Sequence, residues 1–478
     1  MSASSTNSIV SAEAGRPHRS WPKTAFTSSL AAILGGQLAI GVVALIAEVS
    51  YARILGPAAR GAISLCLMSI AFGTLFGGLG GEGVIVYWAS RFKNKPSSWL
   101  SVVLATGAVG SALAGALWIW GYWSLRLPFL RGVSPSSARI ILFSIPSAIF
   151  FAYVMALASG IEEFRLRSGS ALLRQILTLS SFLLFLVFLG RSVDAALWGN
   201  LAGLLIGASV ALAVMWPHVK CYFQIKDAAS HLKPTLAYGV RGQVGNLATF
   251  FNYRLDVFIV SYFLDSTQLG FYAVGVAVSE ALWQIPNAVG SILFPRTGRS
   301  SKEDATPFTC FILRQVLWIT SLCAVLVALV APLAIPLVFG QRFRPSVPVI
   351  WWILPGIISL SLAKVGCADL AGRGKNGYSS VSAFICFAAT AAADWFLIPR
   401  MGINGAALAS SLSYSLDAFL ILLALRHETG VSWRAFFIPL RSDLQAYRLL
   451  WLRVGALAPS LFPGLRDKEI PLLSREGS

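Results

Sequence analysis

The sequence predicts an all-α polytopic membrane protein with about 12 transmembrane helices in two pseudo-repeated six-helix lobes around a central cavity. Three observations predict it. Of 478 residues, 56% are hydrophobic and only 12% charged, and the mean hydropathy is +0.71, whereas a soluble domain carries about 25% charged residues. Apolar runs of membrane-spanning length recur over 25–50, 62–88, 99–123, 139–159, 171–190, 194–216, 238–264, 270–294, 309–338, 346–371, 377–398 and 403–425. Finally, motifs recur at nearly one spacing. Arg53-Ile-Leu-Gly-Pro-Ala-Ala-Arg-Gly61 and Tyr262-Phe-Leu-Asp-Ser-Thr-Gln-Leu-Gly270 lie about 209 residues apart. Asp194-Ala-Ala-Leu-Trp-Gly199 and Gly405-Ala-Ala-Leu-Ala-Ser410 lie about 211 apart, and Ser159-Gly160 pairs with Ala371-Gly372. A spacing of six helices keeps the halves parallel, related by an axis along the membrane normal.

Taken in order, Met1 to Lys23 is polar, with Arg16, Arg19 and Lys23 before the first apolar run. That run, Ala25 to Ile46, is long enough to span and is read as a retained first helix, not a signal peptide. The expected layout is a cytoplasmic tail over 1–24, an N-terminal lobe over 25–216, a cytoplasmic connector over 217–237, a C-terminal lobe over 238–425 and a cytoplasmic tail over 426–478. From Val431 to Ser478 apolar residues alternate with Arg434, Arg441, Arg448 and Arg453, which reads as an interfacial or disordered tail. With the N-terminus inside, about 27 Lys and Arg fall in cytoplasmic segments and about 9 outside, so both termini are expected in the cytoplasm. Gly73, Gly77 and Gly81, and Gly199, Gly203 and Gly207, repeat every four residues, a spacing for close helix packing. Pro286, Pro332, Pro336 and Pro355 fall inside spans and kink them.

The net charge of +18 is explained by the basic cytoplasmic loops of a membrane protein, so no nucleic-acid partner is expected. Six cysteines without a CxxC pair read as small apolar residues, and the scattered histidines suggest no metal site. There is no Walker A sequence, no cofactor motif, and no serine elbow or histidine–carboxylate arrangement. The longest outside loop, about Ser124 to Ala138, is short for a membrane-embedded glycan ligase. The chain is therefore expected not to be an enzyme.

The segment Ala248-Thr-Phe-Phe-Asn-Tyr-Arg254-Leu-Asp256-Val-Phe-Ile-Val-Ser-Tyr-Phe-Leu264 sets two charges inside a span. A charge at the bilayer centre costs roughly 2.5–3.5 kcal/mol on insertion scales and faces a bundle interior or a wet cavity. Residues two apart on a helix point about 200° apart, so Arg254 and Asp256 each need a partner on another helix. Glu280 lies at a similar depth to Arg254. Lys364 and Asp417 share a depth near the inner side, Asp256 has no obvious partner, and Glu82 is a lone acid within Gly77-Gly-Leu-Gly-Gly-Glu-Gly83. The functional reading is a cavity in which Arg254 and Lys364 receive an anionic head group, since arginine offers a planar fork and lysine a point charge. Asp256, Glu280, Glu82 and Asp417 then hold a coupling cation or proton, or shield the basic groups. The competing reading is a set of buried ion pairs that lock helices together.

Tyr51-Ala-Arg-Ile-Leu-Gly-Pro-Ala-Ala-Arg-Gly61, Arg254-Leu-Asp-Val-Phe258 with Leu269-Gly-Phe-Tyr272, Trp283-Gln-Ile-Pro286 through Leu293-Phe-Pro-Arg296, and Gly405-Ala-Ala-Leu-Ala409 stand in a telling order. The chain thereby resembles the polysaccharide transporter family of flippases. These belong to the superfamily that also holds multidrug and toxin extrusion antiporters and the lipid II flippase. The resemblance covers nearly all of residues 25–425. It implies an inverted-V pair of lobes, alternating access without ATP, and a polyprenyl-pyrophosphate-linked oligosaccharide flipped from the inner to the outer leaflet of the bacterial plasma membrane. It also implies a cationic cavity, which Arg254, Lys364 and, at the outer rim, Arg53 fit. The implied partners are the lipid-linked cargo, membrane lipids, a polysaccharide polymerase and a chain-length regulator. The chain departs from the pattern in having no mid-span arginine in its N-terminal half, because Arg53 and Arg60 lie near the outer rim. The lipid II subtype ranks lower, since the tail cannot supply two further helices. Two other readings compete: a cation-coupled multidrug exporter, which favours an acid-dominated cavity, and a non-transporting scaffold or enzyme of glycan assembly.

Overall fold

The computed structural model describes residues 23–91, 99–220, 228–298 and 301–438, and these are helical throughout, without strands. The expected N-terminal tail up to residue 22 and the C-terminal tail from 439 lie outside the described residues. The helices are α1 (Lys23–Gly77), α2 (Gly81–Arg91), α3 (Trp99–Ile119), α4 (Pro135–Gly160), α5 (Phe164–Leu189), α6 (Val193–Val219), α7 (Ala228–Phe263), α8 (Ser266–Glu280), α9 (Gln284–Thr297), α10 (Lys302–Phe339), α11 (Ser346–Gly372), α12 (Gly377–Met401), α13 (Ile403–Thr429) and α14 (Trp433–Phe437). With no water in a bilayer core, backbone N–H and C=O groups must be satisfied within the chain, and helices do this segment by segment.

Nine helices among the described residues are long and apolar enough to cross a membrane. The reading of about twelve spans also includes segments outside those nine. Helix α7 is long but carries Asn252, Arg254 and Asp256, and α8 and α9 are each short because a tight turn at Ala281–Trp283 divides them. Pro286 explains the turn: it lacks an N–H, and its ring opposes the carbonyl four residues earlier.

The first two expected spans form one kinked helix. Gly56 breaks it at φ 83°, ψ 178°, a conformation only glycine adopts readily, and Pro57 restarts it with a preset φ. The second expected span ends early, because the glycine-rich stretch after Gly77 turns before α2 begins. In the expected connector, the described residues from Ala228 already belong to α7. The start of the expected tail is packed: Trp433 of α14 stacks on Phe419, Phe436 is fully buried, and Arg314 donates to the Ala435 carbonyl at 2.7 Å.

By proximity the described residues form two compact units, one over 1–281, 330–352 and 387–410, the other over 282–329, 353–386 and 411–478. The first unit is built on close glycine contacts. A Cβ at Gly199, Gly203 or Gly207 on α6 would meet Phe182, Thr178 or Arg174 on α5, so one ladder climbs the other turn by turn. A Cβ at Gly73, Gly77 or Gly81 would likewise strike Ile145, Ile149 or Tyr153 of α4. The two copies of the repeated motif also touch. A Cβ at Gly61 would collide with the Ser266 carbonyl, and one at Gly270 with the Pro57 carbonyl. Small residues let helix backbones approach this closely where lipid supplies no hydrophobic drive.

Replacing Gly61 with Val should therefore destabilise the detergent-solubilised protein by more than about 3 kcal/mol, the upper end of ordinary overpacking costs. Gly169→Ala, where a Cβ meets nothing within 4 Å, should be neutral or stabilising by up to about 1 kcal/mol. Thermal unfolding followed by size-exclusion chromatography checks both.

Candidate functional site

In the first unit the charges on α7 find partners on two sides. The Arg254 guanidinium grips Glu280 of α8 with two parallel bonds, Nη1 to Oε1 and Nη2 to Oε2, each 2.9 Å. These side chains are 28% and 14% exposed, so the pair is shielded but open to one face. Asp256 points the other way and is buried. It accepts the Tyr272 hydroxyl of α8, and its own neighbour Val257 donates a backbone N–H to it at 2.7 Å. Tyr272 in turn lies 3.5 Å from the Ser410 hydroxyl of α13.

Beside this group stands Asp394 of α12, fully buried, with no hydrogen-bond partner for either carboxylate oxygen among the described residues. Thr390 donates to Asn252 at 3.0 Å. That bond sets the register of α12 on α7, and one turn further along each helix come Asp394 and Asp256, which feel each other's charge. Two buried carboxyl groups this near can coexist when a proton or cation comes between them. The arrangement is suited to loading and releasing one positive charge.

The N-terminal half of the same unit holds a polar cavity of about 460 Å³. Glu82, in the first turn of α2, lines it, as do Glu48, Tyr51, Arg174, Gln175, Thr178 and Asn200. Glu48 is paired with Arg60 at 2.5 Å. Arg174 lies well inside α5, which starts at Phe164. This corrects the expectation that the N-terminal half lacks a mid-span arginine. The sequence reading began the span at 171, which put Arg174 at its mouth. Arg174 donates to the Asn200 side chain at 3.3 Å and stands 5.2 Å from the Phe151 ring centroid. Arg53 is held elsewhere: its Nε donates to the Val338 carbonyl at 2.6 Å and its Nη2 to Leu337. It caps the carboxyl end of α10, where a cation is favoured by the helix dipole.

The second unit is described by itself. Lys364 of α11 donates to Asn287 of α9 at 3.1 Å and stands 4.7 Å from the Trp283 ring centroid, and that ring packs on Tyr414. Asp417 of α13 is a charge neighbour of Lys364 and accepts the Ser382 hydroxyl at 2.5 Å. Nearer the ends of these helices, buried Asp369 accepts from Thr309 at 2.6 Å, Thr297 at 3.2 Å and Arg373 at 2.6 Å, a fully satisfied tie between helices.

Sequence reasoning singled out Arg254, Asp256, Glu280, Lys364, Asp417, Glu82 and Arg53, but passed over Arg174 and Asp394. Asp394 carries a signal that could have found it: a lone acid after three alanines inside an apolar run, one turn beyond Thr390.

The family described as "Polysaccharide biosynthesis protein" matches residues 51–348. A Shigella flexneri protein provisionally named an O-antigen transporter is 24% identical over 244 residues, 49% of this chain and 56% of that protein. The chain thus spans about half the length of this curated relative. Among solved structures, the lipid II flippase MurJ in an inward closed conformation aligns with a TM-score of 0.64 at 15% identity, over 90% of this chain and 98% of its own. A multidrug resistance transporter of the MATE family, inward-facing, aligns at 0.63 and 12% identity, over 82% and 94%. At such identities these likenesses establish the fold.

A double-mutant cycle on Arg254→Ala and Glu280→Ala should give a coupling of about 0.5–3 kcal/mol, with each single variant less stable than additivity allows. Thermal melts of the four purified proteins read it out.

Proposed function

We propose a function from one premise: the chain belongs to the polysaccharide biosynthesis protein family, whose match covers more than half of its residues. It is a multi-pass membrane protein of that transporter family with a MurJ- and MATE-like helical fold. The finer reading is a flippase that carries a polyprenyl-pyrophosphate-linked oligosaccharide from the inner to the outer leaflet of a bacterial cytoplasmic membrane, with both termini in the cytoplasm. The cargo would feed an O-antigen, capsule or exopolysaccharide, and a polymerase and chain-length regulator would act on it next.

The observation that carries this reading is the Arg254–Glu280 fork inside the membrane. A guanidinium held with its two donors parallel has the geometry that a phosphate oxygen pair accepts. On this reading the pyrophosphate displaces Glu280 from Arg254, and Lys364 supplies a second cation from its own unit. The Asp256–Asp394 pair takes up a proton or cation as the protein resets, so the cycle draws on an ion gradient and not on ATP.

A second reading is favoured by a specific observation. The partnerless carboxylate of Asp394, in a fold shared with MATE transporters, also suits a cation-coupled exporter of small molecules.

Mass spectrometry of lipid extracts after the gene is switched off separates the two. A flippase leaves a polyprenyl-pyrophosphate oligosaccharide piled up and the surface glycan lost. An unchanged lipid-linked pool, with raised sensitivity to cationic drugs, selects the exporter. Complementing with Arg254→Ala should lower glycan export by about 30-fold or more, the effect of removing one partner from a buried charge contact, while the protein still reaches the membrane. Asp394→Asn should stop net export yet leave cargo binding intact, and normal export by that variant removes the carboxylate pair from the cycle.

A further inference from the structure

The N-terminal cavity contains a cation that the proposed cycle does not use. Arg174 has no carboxylate within ion-pair distance among the described residues; its described contacts are the neutral Asn200 amide and the face of Phe151. Its Nε is buried without a hydrogen-bond partner, and so is the Thr178 hydroxyl one turn further along α5. Both residues line the same cavity of about 460 Å³. The α6 glycine ladder holds them there, since Gly203 abuts Thr178 and Gly207 abuts Arg174. An enclosed guanidinium and a hydroxyl left without partners, together with the amide of Asn200, form a set of hydrogen-bonding groups with room beside them for an oxyanion.

The charge balance of the cavity narrows the oxyanion. Arg174 is opposed by Glu82, and Glu48 on the same wall is already matched by Arg60. A pyrophosphate, with its several negative charges, would meet one available cation and two carboxylates. A single carboxylate matches the lone guanidinium. Tyr51, Gln175 and Asn200 add neutral polar groups, and Phe250 adds an aromatic face, a lining suited to a hydroxyl-rich sugar ring.

We propose that Arg174, Thr178 and Asn200 form an anion site for a carboxylate carried on the glycan itself, separate from the pyrophosphate, so that the protein prefers acidic sugar units. This rests on the flippase reading and deepens it.

The test uses full-length protein in nanodiscs and two probes, farnesyl-pyrophosphate-linked disaccharides that differ only in a terminal glucuronosyl or glucosyl unit. Binding is followed by tryptophan fluorescence. The wild type should bind the glucuronosyl compound about 30-fold tighter or more. Arg174→Gln should erase that preference, with the loss falling on the glucuronosyl compound, while Arg174→Lys retains part of it. Free glucuronate should compete for the difference and free pyrophosphate should not. Equal affinity of the wild type for both compounds overturns the proposal and leaves the flippase reading standing. Equal weakening of both by Arg174→Gln also overturns it, because the pyrophosphate would then be the group held there. Binding of neither compound by the wild type sinks the flippase reading and this site with it. If Arg174→Gln does not fold, Thr178→Val and Asn200→Ala carry the same comparison, and an unchanged preference in both overturns the proposal.

Discussion

Arg254 and Asp256 stand two residues apart on one helix, so they point to opposite sides of it and cannot neutralise one another. Inside a membrane neither can be left to lipid. Helix α8 therefore has to supply Glu280 on one side and Tyr272 on the other, and α12 has to bring Asn252 its hydroxyl partner. The break before Pro286 follows from the same demand in sequence terms, because Glu280 is the last residue of α8 and the chain turns immediately after it. Much of the first unit can be read as the set of helices needed to satisfy two charges set into α7.

The carboxylates and the guanidinium on this helix differ in how tightly they are held. Arg254 is held by two equal bonds to a partner that is itself on the open side. Asp256 is enclosed and fully hydrogen-bonded, while Asp394 beside it is enclosed and bonded to nothing. A pair with one satisfied and one unsatisfied acid is a poor structural fastener. The satisfied member fixes the geometry, and the other is left to respond to what arrives.

Helix number, the mid-span charges and the glycine ladders were legible because each has a period or a length that the sequence displays directly. The partner of Arg254 was legible for a related reason: depth along a helix can be counted. The partner of Asp256 was not, because tyrosine among apolar residues gives no sign of the direction its hydroxyl takes. Arg174 was hidden by the start of its helix. The polar residues from Phe164 onward lower the hydropathy, so the apolar run seems to begin at 171, although the helix itself begins a full two turns earlier. Arg53 looked like a cargo residue by its place at the rim. Its bonds to the end of α10 depend on a helix nearly three hundred residues away, which no local pattern announces.

The meeting of the repeated motifs has a further consequence. Gly61 abuts Ser266 while Gly270 abuts Pro57, and each of these four residues is the counterpart of another at the repeat spacing. Residue i of one copy meets residue j of the other, and j meets i, which is the form of an isologous homodimer contact. A half-length ancestor carrying a single copy could have made the same contact with a second molecule of itself. In the fused chain the two sides are free to diverge everywhere except along this line, where a side chain gained by one copy is felt by the other.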